Sequence, residues 1–247
     1  MGKTYRYNYN NKLYTLAQSE VRSYLSKFLK CLDKKIENEP PYVIVGGTSI
    51  HVWSLYLGDK NLRGTKDIDI NVPEKYRDVV LECSARFGSI KERKSPSRVI
   101  LDVILGNNLP KLSIYLVDGN MIPPYTTLKI GDTTYYVESL ESILVRKWDT
   151  YLQRTEEKDK EDILKIIELF RSKKVEFNYK TFEEAMRFYR LTGYAADKLL
   201  LLLRYYKIID SRYVVDHLEN RDNREVLEKL ISDLVARGFI KKSIKNI

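Results

Sequence analysis

Residues 43–72 read VIVGGTSIHVWSLYLGDKNLRGTKDIDINV, and the succession of elements in this stretch decides the fold. A short apolar run, Tyr42 to Val45, has the character of a buried strand and leads straight into Gly46 and Gly47. TSIHVWSLYL is then helix-like, GDKNLRGTK is a polar loop with two glycines, and DIDINV alternates as a strand does. That alternation sends Asp67 and Asp69 to one face, about 6.6 Å apart at Cα, and Ile68 and Ile70 to the core. Aspartate has poor strand propensity, so a pair inside a β-rich run needs a reason. Two such carboxylates repel unless a cation lies between them. A hard divalent ion with oxygen ligands, Mg²⁺ or Mn²⁺, relieves that repulsion.

The glycine turn adds a second element. Gly46 and Gly47 carry no Cβ to block a phosphate, and the following helix aims its free N–H groups and dipole at one. Thr48 or Ser49 would add a hydroxyl. A glycine pair also serves tight strand-to-helix turns for steric reasons, and Asp-x-Asp is common in solvated turns. Their combination is what points to a nucleotide held beside a metal. Arg63 precedes the carboxylates in RGTKD, where it either braces a phosphate bidentately or pins the loop through a salt bridge.

Outward from this stretch, Val21, Leu25, Phe28 and Leu32 recur at helical spacing and predict a helix over 16–37, ending before Pro40 and Pro41. Pro73 and Glu74 suit the first turn of a helix reaching about Arg86. Residues 98–105 and 111–117 read as strands of a hairpin joined by GNNLP, with another strand at Thr133 to Val137. From Leu140 onward the pattern is helical, with breaks near Ser172 to Lys174, Gly193 and Asn220 to Asn223. The fold expected is therefore α+β: a mixed-sheet domain with an N-terminal helix over residues 1–138, then a helical bundle over 139–247 that closes one side of a cleft.

Composition narrows the function classes. The chain has 247 residues, 43% hydrophobic and 31% charged, enough for a full core. A formal charge of +9 favours a polyanionic partner such as RNA, DNA or nucleotides. The longest apolar run, Leu199 to Leu203, is cut by Arg204 far short of the roughly 20 residues that span a bilayer. The Tyr- and Asn-rich N-terminus lacks the features of a secretory signal, so the chain is expected in the cytoplasm. Cys31 and Cys83 form no Cys-x-x-Cys pair and are expected as buried free thiols. His51 and His217 lack partners at ligand spacing and read as packing or surface residues. A P-loop, a Gly-x-Ser-x-Gly elbow and a Cys-His nucleophile arrangement are all missing.

VGGTSIHVW followed by RGTKDIDI resembles the signature of the nucleotidyltransferase superfamily, whose catalytic domain is a polymerase-β-like mixed sheet. Residues 137–166, VESLESILVRKWDTYLQRTEEKDKEDILKI, are similar to its AbiEii-like, type IV toxin-like branch. The resemblance implies transfer of a nucleoside monophosphate from an NTP, with Gly47 and Thr48 on the triphosphate and Asp67 and Asp69 on the metal. It further implies that Lys147 contacts phosphate or the acceptor and that Asp159 or Asp162 is a downstream acid. At family level it implies an RNA acceptor, such as the 3′ end of tRNA, and a neutralising antitoxin protein.

Two departures stand out. The gap from Thr48 to Asp67 is longer than the family's common spacing, which a loop at Gly58 to Gly64 absorbs at little cost. The family's third carboxylate aligns with Ser113 in KLSIYLVDG. Asp102, flanked by aliphatic residues in VILDVIL, is the best substitute as catalytic and metal-binding acid, because such an Asp is costly without compensation. Asp118, next to Gly119, reads as a turn residue. Without a third acid the chain becomes a nucleotide- or RNA-binding relative with little turnover. Another alternative is a DNA-binding regulator in which VLEKLISDLVARGFIKK belongs to a helix-turn-helix-like module. Aromatic and basic residues mix in RFYRLTGY, LLRYYKIIDSRY and the tail KKSIKNI, as base stacking would require, although Tyr and Leu at helical spacing also build cores.

Overall fold

The computed structural model describes residues 13–36, 40–59, 63–95, 98–104, 109–172, 175–220 and 222–241. Parts of the Gly58–Gly64 loop and of the 106–110 turn, and all of the tail beyond Lys241, lie outside them. The chain divides into two compact units, Met1–Glu138 and Ser139–Ile247.

The first unit is built on a seven-stranded mixed sheet. Its strands are β1 (Val43–Val45), β2 (Asp67–Pro73), β3 (Ser89–Ser95), β4 (Arg98–Ile104), β5 (Lys111–Val117), β6 (Tyr125–Ile130) and β7 (Thr133–Glu138). Their order is β3-β4-β5-β2-β1-β7-β6. Three helices accompany them: α1 (Ser19–Lys35), α2 (Gly46–Tyr56) and α3 (Arg77–Ala85). The register explains why the sheet has one apolar and one polar face. Ile68, Ile70 and Val72 lie opposite Leu112, Ile114 and Leu116, and Leu101 lies opposite Ile114, all buried. The alternate positions line up Asp67 with Lys111, and Asp69 with Ser113 and then Asp102. A period of two on three adjacent strands thus gathers the polar residues on one surface.

Several expectations shift. The α1 face is the predicted one, with Val21, Leu25, Phe28 and Leu32 all buried. Pro73 ends β2 instead of opening a helix; a 3₁₀ turn, Glu74–Tyr76, intervenes before α3. Strands β3 and β6 carry no prominent apolar alternation, because each lies at a sheet edge, and the sequence pattern overlooks them. The expected free thiols are a correction: Cys31 on α1 and Cys83 on α3 form a disulfide, their Cα atoms 5.9 Å apart. The two helices pack side by side, which brings together cysteines 52 residues apart that no sequence spacing linked. Among the described residues, no helix is long and apolar enough to cross a membrane.

The second unit is helical: α4 (Leu140–Arg154), α5 (Glu157–Arg171), α6 (Tyr179–Phe188), α7 (Gly193–Tyr205), α8 (Ser211–His217) and α9 (Arg224–Ala236). Helix α4 packs against α5, α6 and α7, and α7 against α8 and α9. Caps mark the starts: Ser139, Asn178, Asp210 and Asn223 each accept a backbone N–H from the first turn of α4, α6, α8 and α9. Trp148, wholly buried, packs against Phe239 at a ring separation of 5.3 Å. The aromatic residues of RFYRLTGY and LLRYYKIIDSRY divide between core and surface; Tyr206 donates to the Phe239 carbonyl at 2.6 Å, while Tyr194 is exposed.

Candidate active site

Strand β1 turns into α2 at Gly46, whose φ of +74° is one that L side chains rarely adopt. A Cβ at this position would meet Asp69 Oδ2 at 2.6 Å. The glycine turn and the carboxylate pair are therefore a single construction: Asp69 occupies the space that the missing side chain leaves. Gly47 stands in more open surroundings, with Arg63 Nη2 and Thr65 Oγ1 each 3.6 Å from where its Cβ would be. The N-cap residue of α2, Val45, offers no side-chain acceptor to the helix's first N–H groups. Arg63 brings its guanidinium beside Gly47 and donates to the Gly64 carbonyl at 3.2 Å.

The hydroxyls expected on phosphate turn elsewhere. Ser49 is fully buried and donates to the Gly46 carbonyl at 2.6 Å. Thr48, also buried, donates to the Asp67 carbonyl at 3.4 Å, and Thr65 to the same oxygen at 3.1 Å. His51 Nε2 binds the Arg63 carbonyl at 2.6 Å. Helix α2 thus fastens the loop that delivers β2, through Thr48 on the Asp67 carbonyl and His51 on the Arg63 carbonyl.

Asp67 and Asp69 are half-buried on the polar face, with Ile68 and Ile70 beneath the sheet. Tyr115 Oη donates to Asp69 Oδ1 at 3.0 Å, and the Arg98 guanidinium lies 4.7 Å from the Tyr115 ring centre. Burial first, and then the Asp69 charge, push the Tyr115 hydroxyl's pKa upward, so it remains a donor. The donor set fits a hard divalent cation in part: two carboxylates project from one face, and Asp69 Oδ2 fits beside Gly46 only because that residue has no Cβ. Among the described residues, no group of three or more His, Cys, Asp or Glu side chains is placed to hold a metal.

That finding removes Asp102 from the pair. It lies two strands from Asp69, about 10 Å at Cα by strand spacing. It is 3% exposed and engaged by its own partners: Arg93 Nη2 at 3.0 Å, Ser113 Oγ at 2.9 Å and Lys111 Nζ at 3.3 Å. Burial works to raise its pKa, but the Arg93 hydrogen bond, Lys111 and Ser113 together hold it below the usual carboxylate range. Asp118 is exposed at the turn after β5, its carbonyl accepting from Met121 N at 2.8 Å. Arg93, Lys111 and Tyr115 are site neighbours that sequence reasoning missed. The alternation of Lys111, Ser113 and Tyr115 in KLSIYLV carried the signal for two of them.

In the second unit, Lys147, Asp159 and Asp162 do come together. Lys147 Nζ lies 3.0 Å from Asp159 Oδ1 and 2.7 Å from Asp162 Oδ2, with all three residues buried. Arg154 adds Nε to Asp159 Oδ2 at 2.8 Å and Nη2 to Oδ1 at 3.2 Å. Burial raises the Asp159 pKa, yet the hydrogen bonds from Arg154 and Lys147 outweigh it and leave the carboxyl below its ordinary value. His217, on α8, stacks on Tyr213 at 3.9 Å.

Fold and site define a mixed α+β domain whose central strand offers two carboxylates at the mouth of a glycine turn. No protein-family model and no curated protein matches the chain. Among solved structures it is similar to ANT(2″)-Ia in complex with adenylyl-2″-tobramycin, at TM-score 0.48 and 16% identity, over 70% of this chain and 98% of that one. It is also similar to an antigenic nucleotidyltransferase-like protein from Paracoccidioides brasiliensis, at TM-score 0.45 and 20% identity, over 69% and 87% of the two chains. The lincosamide antibiotic adenylyltransferase LnuA, lincomycin-bound, aligns at TM-score 0.43 and 17% identity, over 60% and 96%.

Proposed function

We propose that the chain transfers a nucleoside monophosphate from an NTP to an acceptor hydroxyl, with Asp67 and Asp69 holding Mg²⁺ or Mn²⁺. The observation that carries this reading is the fit of Gly46 around Asp69, which joins a phosphate-accepting helix start to a metal-binding carboxylate. A divalent cation bound there would supply positive charge to the triphosphate oxygens. The chain's own residues do the rest. The first N–H groups of α2 and the Arg63 guanidinium orient the triphosphate, while the hydroxyls of Thr48 and Thr65 keep β2 in register with the glycine turn. The acceptor oxygen forms a new bond to the α-phosphorus as the bond to the β-phosphate bridging oxygen breaks. Pyrophosphate leaves with that electron pair, and the hydroxyl proton passes to solvent.

The acceptor in this reading is RNA, with the 3′ end of tRNA as the specific case, supported by the charge of +9 and by the AbiEii-like resemblance. The resemblance alone supports a toxin-like role in the cytoplasm and an antitoxin partner. Lys147, Asp159 and Asp162 serve here by locking α4 to α5, since their charges satisfy one another in a buried cluster.

A second reading rests on Ser113: with no third acid beside the pair, the chain binds nucleotide and turns it over poorly. Purified protein with each α-³²P-labelled NTP, Mg²⁺ or Mn²⁺ and total tRNA or total protein separates the two. The first reading expects label on RNA, and at least a ~10³-fold loss in an Asp67→Ala, Asp69→Ala variant. Metal-dependent NTP binding without transfer to any acceptor selects the second.

A further inference from the structure

The helical unit holds a cavity of about 500 Å³ to which nucleotidyl transfer gives no task. It lies where the end of α5, the segment leading into α6 and the turn after α7 come together. Its walls are aromatic. Phe170 and Phe177 are 5% and 9% exposed, with ring centres 5.2 Å apart, and the half-buried Tyr206 joins them. Three exposed charged residues complete the lining: Arg171, Lys207 and Glu176. We propose that this cavity binds a guanine nucleotide, with the base against the aromatic walls, its N–H edge on Glu176 and its phosphate on Arg171 and Lys207. The site lies wholly within the helical unit and draws on no residue of the transfer site.

Size and rigidity suit such a ligand. The volume falls among the roughly 300–1,000 Å³ of small-molecule sites, which pair apolar walls with a few polar groups. The rings are held in place by their own partners: the Tyr206 hydroxyl donates to the Phe239 carbonyl at 2.6 Å, and Phe177 packs on Phe182 at 5.2 Å between ring centres. A base entering the cavity meets walls that need no rearrangement.

The charges narrow the ligand further. Among the described residues, Glu176 makes no ion pair with Arg171 or Lys207, although all three line one cavity. The Arg171 guanidinium lies instead 5.6 Å from the Tyr206 ring centre. The next acids outward are engaged elsewhere: Glu168 pairs with Lys165 at 3.2 Å, and Asp210 accepts from Tyr213 N at 2.7 Å and from the Tyr179 hydroxyl at 3.3 Å. The lining therefore offers both a carboxylate and two cations to a single occupant. A carboxylate only accepts hydrogen bonds. Guanine presents N1–H and the N2 amino group side by side, whereas adenine and cytosine offer one amino group and uracil one imide N–H. Arg and Lys together suit a phosphate. That chemistry belongs equally to a free guanosine phosphate and to a guanosine within single-stranded RNA.

The test measures binding to the full chain in EDTA. GMP and AMP are titrated by calorimetry, and fluorescein-labelled oligouridylates with and without one central guanosine by anisotropy. GMP is expected to bind about tenfold more tightly than AMP, and Arg171→Gln to weaken it about tenfold. Lys207 closes α7 at a φ of +58°, a conformation that favours glycine. Lys207→Gly therefore removes the cation without straining the fold, and should weaken GMP about tenfold at a near wild-type melting temperature. Glu176→Gln should bring the GMP-to-AMP ratio close to one, which a merely structural role for Glu176 would not do. An Asp67→Ala, Asp69→Ala variant should bind GMP as the wild type does.

Tighter binding of the guanosine-bearing strand than of GMP assigns the site to RNA. Binding of GMP with no difference between the two strands assigns it to a free nucleotide. No GMP binding, or wild-type affinity in both Arg171→Gln and Lys207→Gly, overturns the site. Equal affinity of the wild type for GMP and AMP overturns its assignment to guanine. Loss of GMP binding in the Asp67→Ala, Asp69→Ala variant moves the nucleotide to the sheet unit and overturns the cavity, whether or not label is transferred.

Discussion

The two units each hold a cluster of acids that the sequence singled out, and the clusters are built in opposite ways. In the helical unit, Lys147 and Arg154 meet Asp159 and Asp162 at distances of 2.7 to 3.2 Å, with Lys147 and both acids buried and Arg154 reaching them from the surface. In the sheet unit, Asp67 and Asp69 stand half-buried on an open polar face, with a glycine cleared away in front of one of them. The contrast is one of setting, and under the proposed function it separates acids that lock helices together from acids that bind a ligand. The first finds its counter-charge within its own unit and is sealed from water. The second is half-buried, and one of its carboxylates packs into the space that Gly46 leaves by having no side chain.

The strongest attempt to break this contrast is Lys147→Met. Removing the ammonium leaves Asp159 with Arg154 and takes from Asp162 its 2.7 Å contact with Lys147, and breaking a buried charge pair costs about 3–5 kcal/mol. Hydrogen exchange should show α4 and α5 losing protection by that amount while the sheet is unaffected. Unchanged protection combined with abolished transfer would mean that Lys147 touches substrate, and the two clusters would no longer differ in kind.

Next in size is the disulfide. Cys31→Ser opens a loop spanning 52 residues, and chain entropy puts the loss at about 3–4 kcal/mol. Because α1 and α3 both belong to the sheet unit, unfolding in urea should move the sheet transition and leave the helical unit's midpoint where it was. A shift in both midpoints would show that the units do not unfold separately.

Gly46→Ala probes the open site directly. The substitution places a Cβ 2.6 Å from Asp69 Oδ2 at a positive φ, costing about 1–2 kcal/mol of stability. Displacement of Asp69 should lower transfer by at least ~10-fold, beyond what the small stability loss explains. Gly47→Ala, whose added Cβ meets only ordinary contacts, should keep most of the activity. Equal effects at the two glycines would disconnect the turn from Asp69.

The smallest effect separates the units by pH. Asp159 has a depressed pKa, so its stabilising contribution is present above the ordinary value of 3.8 and is lost as pH falls through its folded value. Asp33, on α1 in the sheet unit, behaves oppositely. Burial pushes its carboxyl from 3.8 up to about 6, and Oδ1 is buried with no hydrogen-bond partner. Protonated Asp33 favours the fold; that contribution is complete below pH 3.8 and disappears as pH rises through about 6. Asp33→Asn should therefore stabilise the sheet unit by about 1 kcal/mol at pH 7, after solvent screening, and flatten its stability between pH 4 and 6. A variant with an unchanged pH profile would place the titration elsewhere.

Sequence determined the features that are local or periodic. The alternation in DIDINV gave Asp67 and Asp69 a shared face, and Val21, Leu25, Phe28 and Leu32 marked the buried side of α1, because a strand's period of two and a helix's of 3.6 are properties of the backbone. What joins distant segments had no such signature. The Cys31–Cys83 bond depends on two helices meeting, Asp102's ties to Arg93 and Lys111 depend on strand order, and Gly46's purpose depends on β1 lying beside β2. Even the polar edge strand β3, which supplies Arg93, is a strand only because β4 offers it a ladder of hydrogen bonds. The chain's local chemistry chose the carboxylates and the turn; only the sheet, by placing strands side by side, decided which charges would meet.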